Sequence, residues 1–166
     1  MNDENKISII EISAGKNFEY MRNCLDIRRR VFIVEQNVPQ SIEIDDYDEK
    51  KAVEALKSVH VLALYDGACA GTGRLVEYDS VKKICKIGRL SVLPEFRKRT
   101  VAARIFEYLI KKAEELEYSK IIIHAQCYVT ALYERFGFVR TGGVFDEAGL
   151  EHVKMCLELK KIKTCS

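Results

Sequence analysis

Leu90-Ser91-Val92-Leu93-Pro94-Glu95-Phe96-Arg97-Lys98-Arg99-Thr100-Val101-Ala102-Ala103 joins an apolar run to a long amphipathic segment. Leu90 to Leu93 reads as the end of a buried strand, and Pro94 limits its continuation. Val101, Ile105, Phe106, Leu109, Ile110, Ala113 and Leu116 then recur on one helical face. A strand that gives way to a helix within one short loop points several free N–H groups at whatever lies in front of it, and a diphosphate suits that opening. Arg97, Lys98 and Arg99 add attraction for an anion. The alternative is a solvated basic turn over an amphipathic helix.

Outward from this segment the elements alternate. Ile7 to Ile12 reads as a first strand and Phe18 to Phe32 as a helix, with Arg28, Arg29 and Arg30 covering its polar side as a solvated face. Gln36 to Ser58 is less ordered and holds Pro39 and the acidic residues Glu43, Asp45, Asp46, Asp48 and Glu49. This tract either faces water or attracts a cationic amine or polyamine to an acceptor channel. His60 to Tyr65, the turn Asp66-Gly67, and Ala68 to Glu77 read as a hairpin, in which Gly71 and Gly73 weaken or bend the return strand. A strand from Ile84 to Val92 precedes the helix, and Ile121 to His124 forms a short buried strand after it. A short helix around Ala131, Leu132 and Arg135 stops at Gly137, Phe138 enters another strand, and Val153 to Leu159 completes the sheet. Lys160 to Ser166 reads as a flexible tail.

These elements predict an α/β (α+β) fold: a mixed, largely antiparallel twisted sheet flanked by helices, in a single domain over residues 1–166. Antiparallel pairing before the long helix separates it from a purely parallel dinucleotide fold. The 27 Lys and Arg against 25 Asp and Glu give a net charge of +2, which does not mark a nucleic-acid binder by bulk charge. The six cysteines, Cys24, Cys69, Cys85, Cys127, Cys156 and Cys165, form no C-x-x-C pair or ligand spacing. They read as free thiols in a reducing compartment, with no metal site. Without an apolar leader or a membrane-length run, the expectation is a soluble cytoplasmic protein.

Several segments together carry a family resemblance. Arg29-Arg30-Val31-Phe32 with Glu35-Gln36, Asp45-Asp46-Tyr47-Asp48 and Ile87-Gly88-Arg89-Leu90 come first. Ala125-Gln126, Tyr133-Glu134-Arg135-Phe136-Gly137-Phe138, Phe145-Asp146-Glu147 and Gly149-Leu150-Glu151-His152 follow. In this order and spacing the chain resembles the GNAT superfamily of acetyl-CoA-dependent N-acyltransferases, and its fuller pattern is similar to the ElaA-like subgroup. The superfamily loop reads Arg or Gln, two variable residues, Gly, one variable residue, then Gly or Ala. Arg97, Thr100 and Ala102 hold the marked positions, so threonine stands where the first glycine belongs. That exchange alters loop geometry or affinity without removing the backbone N–H.

The resemblance implies a GNAT-like acyl-CoA N-acyltransferase fold, with acetyl-CoA as cosubstrate between diverging central strands and no metal. It places Leu90, Ser91 and Val92 against the acetyl carbonyl and pantetheine. Arg97, Lys98, Arg99, Thr100, Val101, Ala102 and Ala103 fall around the diphosphate, and Gln126 falls where many relatives place a cofactor-contacting asparagine. Tyr133 takes the place of the tyrosine that protonates the departing thiolate. The implied reaction is direct acetyl transfer to a small-molecule primary amine in a ternary complex, and a homodimer fits the family.

Candidates for the amine's proton acceptor are Glu35, Asp46, Asp48, His124 and His152. His124 also reads as a structural histidine, as does His60. An inward Arg89 would favour a carboxylate on the acceptor, and an outward one would bind no substrate. Three other functions compete: a protein or peptide amino-group acetyltransferase, an inactive acyl-CoA-binding module, and a nucleic-acid interaction protein using Arg28–Arg30 and Arg97–Arg99. The last lacks an aromatic platform.

Overall fold

The computed structural model describes residues 3–159. Cys165 and the tail expected over 160–166 lie outside the described residues. Seven strands form one sheet in the order β1-β2-β3-β4-β5-β7-β6. They are β1 Ile7–Ile12, β2 Ser58–Tyr65, β3 Ala68–Asp79, β4 Ile84–Val92, β5 Lys120–Gln126, β6 Val139–Glu147 and β7 Leu150–Glu158. All pairings are antiparallel except β4 with β5. Among the described residues no helix is long and apolar enough to cross a membrane.

The hairpin turn is as expected: Asp66 and Gly67 have φ 48° and 82°, the pair of positive values that matches the twist of the flanking strands. Helix α4, Val101–Glu115, buries Val101, Ile105, Phe106, Leu109 and Ala113 against one face of the sheet. Gly71 and Gly73 serve that contact. A Cβ on Gly73 would stand 2.7 Å from Ile105 Cγ2 and 3.0 Å from Leu109 Cδ1, and one on Gly71 would stand 2.9 Å from the Ser91 carbonyl oxygen. The register does shift at Gly73, in keeping with the expected weakening or bending, and both glycines also permit close approach of α4.

The other face carries helix α1, Met21–Arg28, whose Met21, Cys24 and Ile27 pack with Ile12, Leu62 and Leu93. The helix predicted over Phe18 to Phe32 instead opens with a 3-10 turn, Phe18–Tyr20, and continues past α1 as a π-helical stretch, Arg29–Glu35. Wide turns of this kind occur frequently at functional sites. Two short helices, α2 Gln40–Glu43 and α3 Lys50–Glu54, frame the acidic loop. Cys24, Cys85 and Cys156 are buried free thiols, while Cys69 and Cys127 are half-buried.

The reading of Arg28 as part of a solvated face is overturned, because it is 1 % exposed. Its Nε lies 2.5 Å from Glu43 Oε1 and its Nη1 2.6 Å from Asp48 Oδ1. Arg74 makes a two-pronged contact with Asp45 at 2.6 and 2.7 Å and reaches Asp48 at 2.9 Å. Arg89 meets Glu43 Oε2 at 3.1 Å and donates to the Ile42 carbonyl at 2.9 Å. Glu43 and Asp48 are therefore buried rather than turned to water, Asp45 is half-buried, and three guanidiniums offset all three, since buried charges persist only when paired. Asp46 and Glu49 do face solvent. His60 is buried, with Nε2 3.0 Å from the Tyr47 carbonyl, and burial pushes it down to about 4. It is neutral and structural.

Candidate active site

The site begins where two central strands part. Strands β4 and β5 pair only over Ile84↔Lys120, Cys85↔Ile121 and Lys86↔Ile122. Beyond that point Gly88–Val92 and Ile123–Gln126 diverge, and each strand turns backbone groups toward the gap. A bulge widens it: Thr72 pairs Ser91 and Arg74 pairs Gly88, so Arg89 and Leu90 together oppose Gly73. Arg89 sits at the bulge with φ 54°, a left-handed value. Arg89 lines the gap rather than pointing outward, and its side chain is engaged by Glu43 and so holds the acidic loop.

A cavity of about 370 Å³ fills the gap. Leu90, Ser91, Val92, Arg97, Ala102, Gln126 and Tyr133 line it. Lys98, Arg99, Thr100, Val101 and Ala103 do not; they complete the turn and first helical turn between Arg97 and α4. Val101 puts its side chain into the core, and Arg99 stacks on the Tyr65 ring at 5.1 Å. Thr100 has φ 58° and Lys98 φ 63°. Threonine thus holds the left-handed backbone that glycine would adopt freely, and its hydroxyl donates to the Arg99 carbonyl at 2.7 Å. The first N–H groups of α4 have no acceptor within their own helix.

Ser91 Oγ is buried without a hydrogen-bond partner among the described residues. A buried hydroxyl of this kind, left without a partner, typically costs stability. The parted strands and the start of α4 give the cavity wall backbone N–H and C=O groups without partners in their own ladder or helix. Among the described residues, no group of three His, Cys, Asp or Glu could hold a metal ion.

Tyr133 belongs to helix α5, Thr130–Glu134, which follows β5. Its ring packs edge-on against Phe106 of α4 at 5.0 Å and near Phe138 at 6.4 Å, so it does reach back to the first strand-to-helix opening. Burial pushes its hydroxyl up to about 12, which keeps it protonated at neutral pH. Gly137, at φ 85°, ends the helix, with Gly137 N–H donating to Glu134 and Phe138 N–H to Tyr133.

Two contacts reach the cavity lining from the end of the π-helical stretch and the residue that follows it. Arg97 grips Glu35 at 2.9 and 2.6 Å, and Gln126 Nε2 donates to Gln36 Oε1 at 3.0 Å. Tyr128 Oη donates to Gln126 Oε1 at 2.5 Å. Glu35, engaged by Arg97, and Asp48, engaged by Arg28 and Arg74, are poorly placed to take a proton. His124 and His152 both line the cavity.

Sequence reasoning gave no role to Lys86 or Glu147, which also line it. His124 Nδ1 lies 2.8 Å from Glu147 Oε2 and 3.1 Å from Lys86 Nζ. The hydrogen bond from His124, then nearby positive charge, outweighs burial and holds the Glu147 carboxyl down at about 2. The usable signal lay in strand alternation, which puts His124 and Gln126 on one face and Ile123 and Ala125 on the other.

A sheet parted at its centre, bulged beside the gap and closed by a helix N-terminus defines the acyl-CoA N-acyltransferase class of fold. The comparisons agree. The family profile described as "Acetyltransferase (GNAT) domain" matches residues 35–159. "Uncharacterized N-acetyltransferase YjcF" of Bacillus subtilis is 32% identical over 143 residues, covering 85% of this chain and 94% of its own. The crystal structure of Escherichia coli ElaA superposes with a TM-score of 0.79 at 23% identity, over 92% of this chain and 99% of that one. BjaI, a CoA-dependent acyl-homoserine lactone synthase, shares the fold with a TM-score of 0.70 at 17% identity, over 93% and 84% of the two chains. The chain belongs to the GNAT acetyltransferase family.

Proposed function

We propose that the protein transfers an acetyl group from acetyl-CoA to the primary amine of a small molecule within a ternary complex. The observation that carries this reading is the gap beyond Lys86 and Ile122, where backbone of β4, the start of α4 and Tyr133 face one cavity. Pantetheine adds to the free edge of β4 much as an extra strand would, and the diphosphate meets the N–H groups of α4. Backbone at the Arg89–Leu90 bulge lies out of ladder register and steadies the oxyanion, while Tyr133 donates a proton to the departing sulfur.

Calorimetric titration with acetyl-CoA, with NADH as the comparison ligand, tests the first half, and release of CoA across a panel of amines tests the second. Saturable binding to acetyl-CoA alone together with turnover of an amine is expected. Binding without turnover of any amine would leave an acyl-CoA-binding module, and no binding would refute the cofactor assignment.

A further inference from the structure

The face of the sheet opposite α4 changes character at β4. Up to that strand it is covered by α1 and the loop that Arg28, Arg74 and Arg89 hold down. Beyond it, Lys86, His124, Glu147 and His152 line the open cavity, with the Phe145 ring edge-on to His124 at 5.0 Å and stacked on His152 at 6.0 Å.

Within that floor, His124 Nδ1 has two neighbours, and it can donate to only one. Glu147 is ionised and cannot donate, so the shorter contact, 2.8 Å, is Nδ1–H to carboxylate. Lys86, 3.1 Å away on β4, then supplies positive charge beside the pair rather than a second bond to that nitrogen. His152 is engaged differently, its Nδ1 lying 2.8 Å from the Leu150 carbonyl. The other charged groups around this point are Lys154 on β7, the register partner of His124, and Arg89, Arg74 and Asp45, whose charges act on Lys86. With Nδ1 committed, the basic atom of His124 is Nε2, which no described residue engages.

We infer that His124 Nε2 takes the proton from the acceptor ammonium, and that Glu147 is the positioning residue that fixes its tautomer. This step rests on the acetyl-transfer reading. The ammonium gives one proton to Nε2, and the neutral amine attacks the thioester carbonyl. The C–N bond forms and the C–S bond breaks. Tyr133 protonates the leaving thiolate and is reprotonated by the second proton from the new amide nitrogen, and His124 returns its proton to water.

Two experiments test it. In long-range 1H–15N correlation spectra, His124, assigned by its loss in H124Q, is expected to show the Nδ1–H tautomer, and E147Q to shift it toward Nε2–H. An Nε2–H tautomer in the unaltered protein overturns the inference whatever the protein acetylates. In kinetics with an amine that the unaltered protein turns over, H124A is expected to lower kcat by about 100-fold or more, with acetyl-CoA affinity unchanged and added imidazole restoring part of the rate. Unchanged turnover, or a loss that imidazole does not restore, overturns the role of His124 alone. Absence of turnover by the unaltered protein with every amine overturns the acetyl-transfer reading and this step with it.

Discussion

Arg28 and Asp48 meet inside the protein through two hydrogen bonds, Nη1 to Oδ1 at 2.6 Å and Nη2 to Oδ2 at 3.1 Å. One residue ends α1 and the other lies in the acidic loop, so the pair ties a wall of the cavity to the helix that supports it. Removing Arg28 leaves Glu43 and Asp48 buried without their main partner, which typically costs about 3–5 kcal/mol. Thermal unfolding of R28A should show Tm lowered by roughly 10 °C. An unchanged Tm would mean that the loop holds without the pair.

The same pair predicts a pH response. Burial alone would raise the Asp48 carboxyl, but Arg28 and then Arg74 hold it down at about 2, below its ordinary 3.8. A depressed carboxyl contributes stability that is fully present above its unfolded value and is lost as pH falls through the folded one. Denaturant midpoints should therefore fall between about pH 4 and pH 2. D48N should be less stable at neutral pH and show a shallower fall over that interval.

Tyr133→Phe keeps the ring against Phe106 and removes the hydroxyl. Turnover should fall by about 100-fold while acetyl-CoA affinity stays the same, since loss of a positioned proton donor typically costs that much. Steady-state kinetics and calorimetry on the same sample separate the two, and equal turnover removes Tyr133 from the donor role.

Thr100 pays for its φ of 58° with left-handed strain, which for a residue with a Cβ costs roughly 1–2 kcal/mol. Thr100→Gly should relieve the turn before α4, leave Tm unchanged or slightly raised, and tighten acetyl-CoA binding. Thr100→Pro cannot adopt this φ and should weaken binding before it alters any proton transfer. Calorimetric Kd values for the three proteins decide it.

Gly73→Ala places a methyl group 2.7 Å from Ile105 Cγ2, which must shift. Overpacking of this kind costs roughly 1–3 kcal/mol. A denaturation curve should show a lower midpoint with an unchanged slope.

The fold was legible where chemistry is local. The period of Val101, Ile105 and Leu109, the Asp66-Gly67 turn and the stop at Gly137 each fix an element from adjacent residues. The charged residues were not legible, because Arg28 looks like its neighbours Arg29 and Arg30 in sequence and differs only in facing Glu43 and Asp48 from another segment. The same holds for Glu147, which gains meaning only when β6 and β7 fold back to bring it to His124. Gln126 lines the cavity, but its link to Gln36 crosses 90 positions and leaves no local trace.

Among the described residues only three register pairs, ending at Lys86↔Ile122, join β1–β4 to β5, β7 and β6. The seam is narrow for a seven-stranded sheet, and the helix α4 bridges it from one side only. An occupant of the gap that bonds to both edges works as a splice: it lengthens the seam without adding a residue. With such an occupant, hydrogen exchange at Ile123–Gln126 is expected to slow as the protein loads, so that the rigidity of the carboxy-terminal strands would rise and fall with the supply of that occupant.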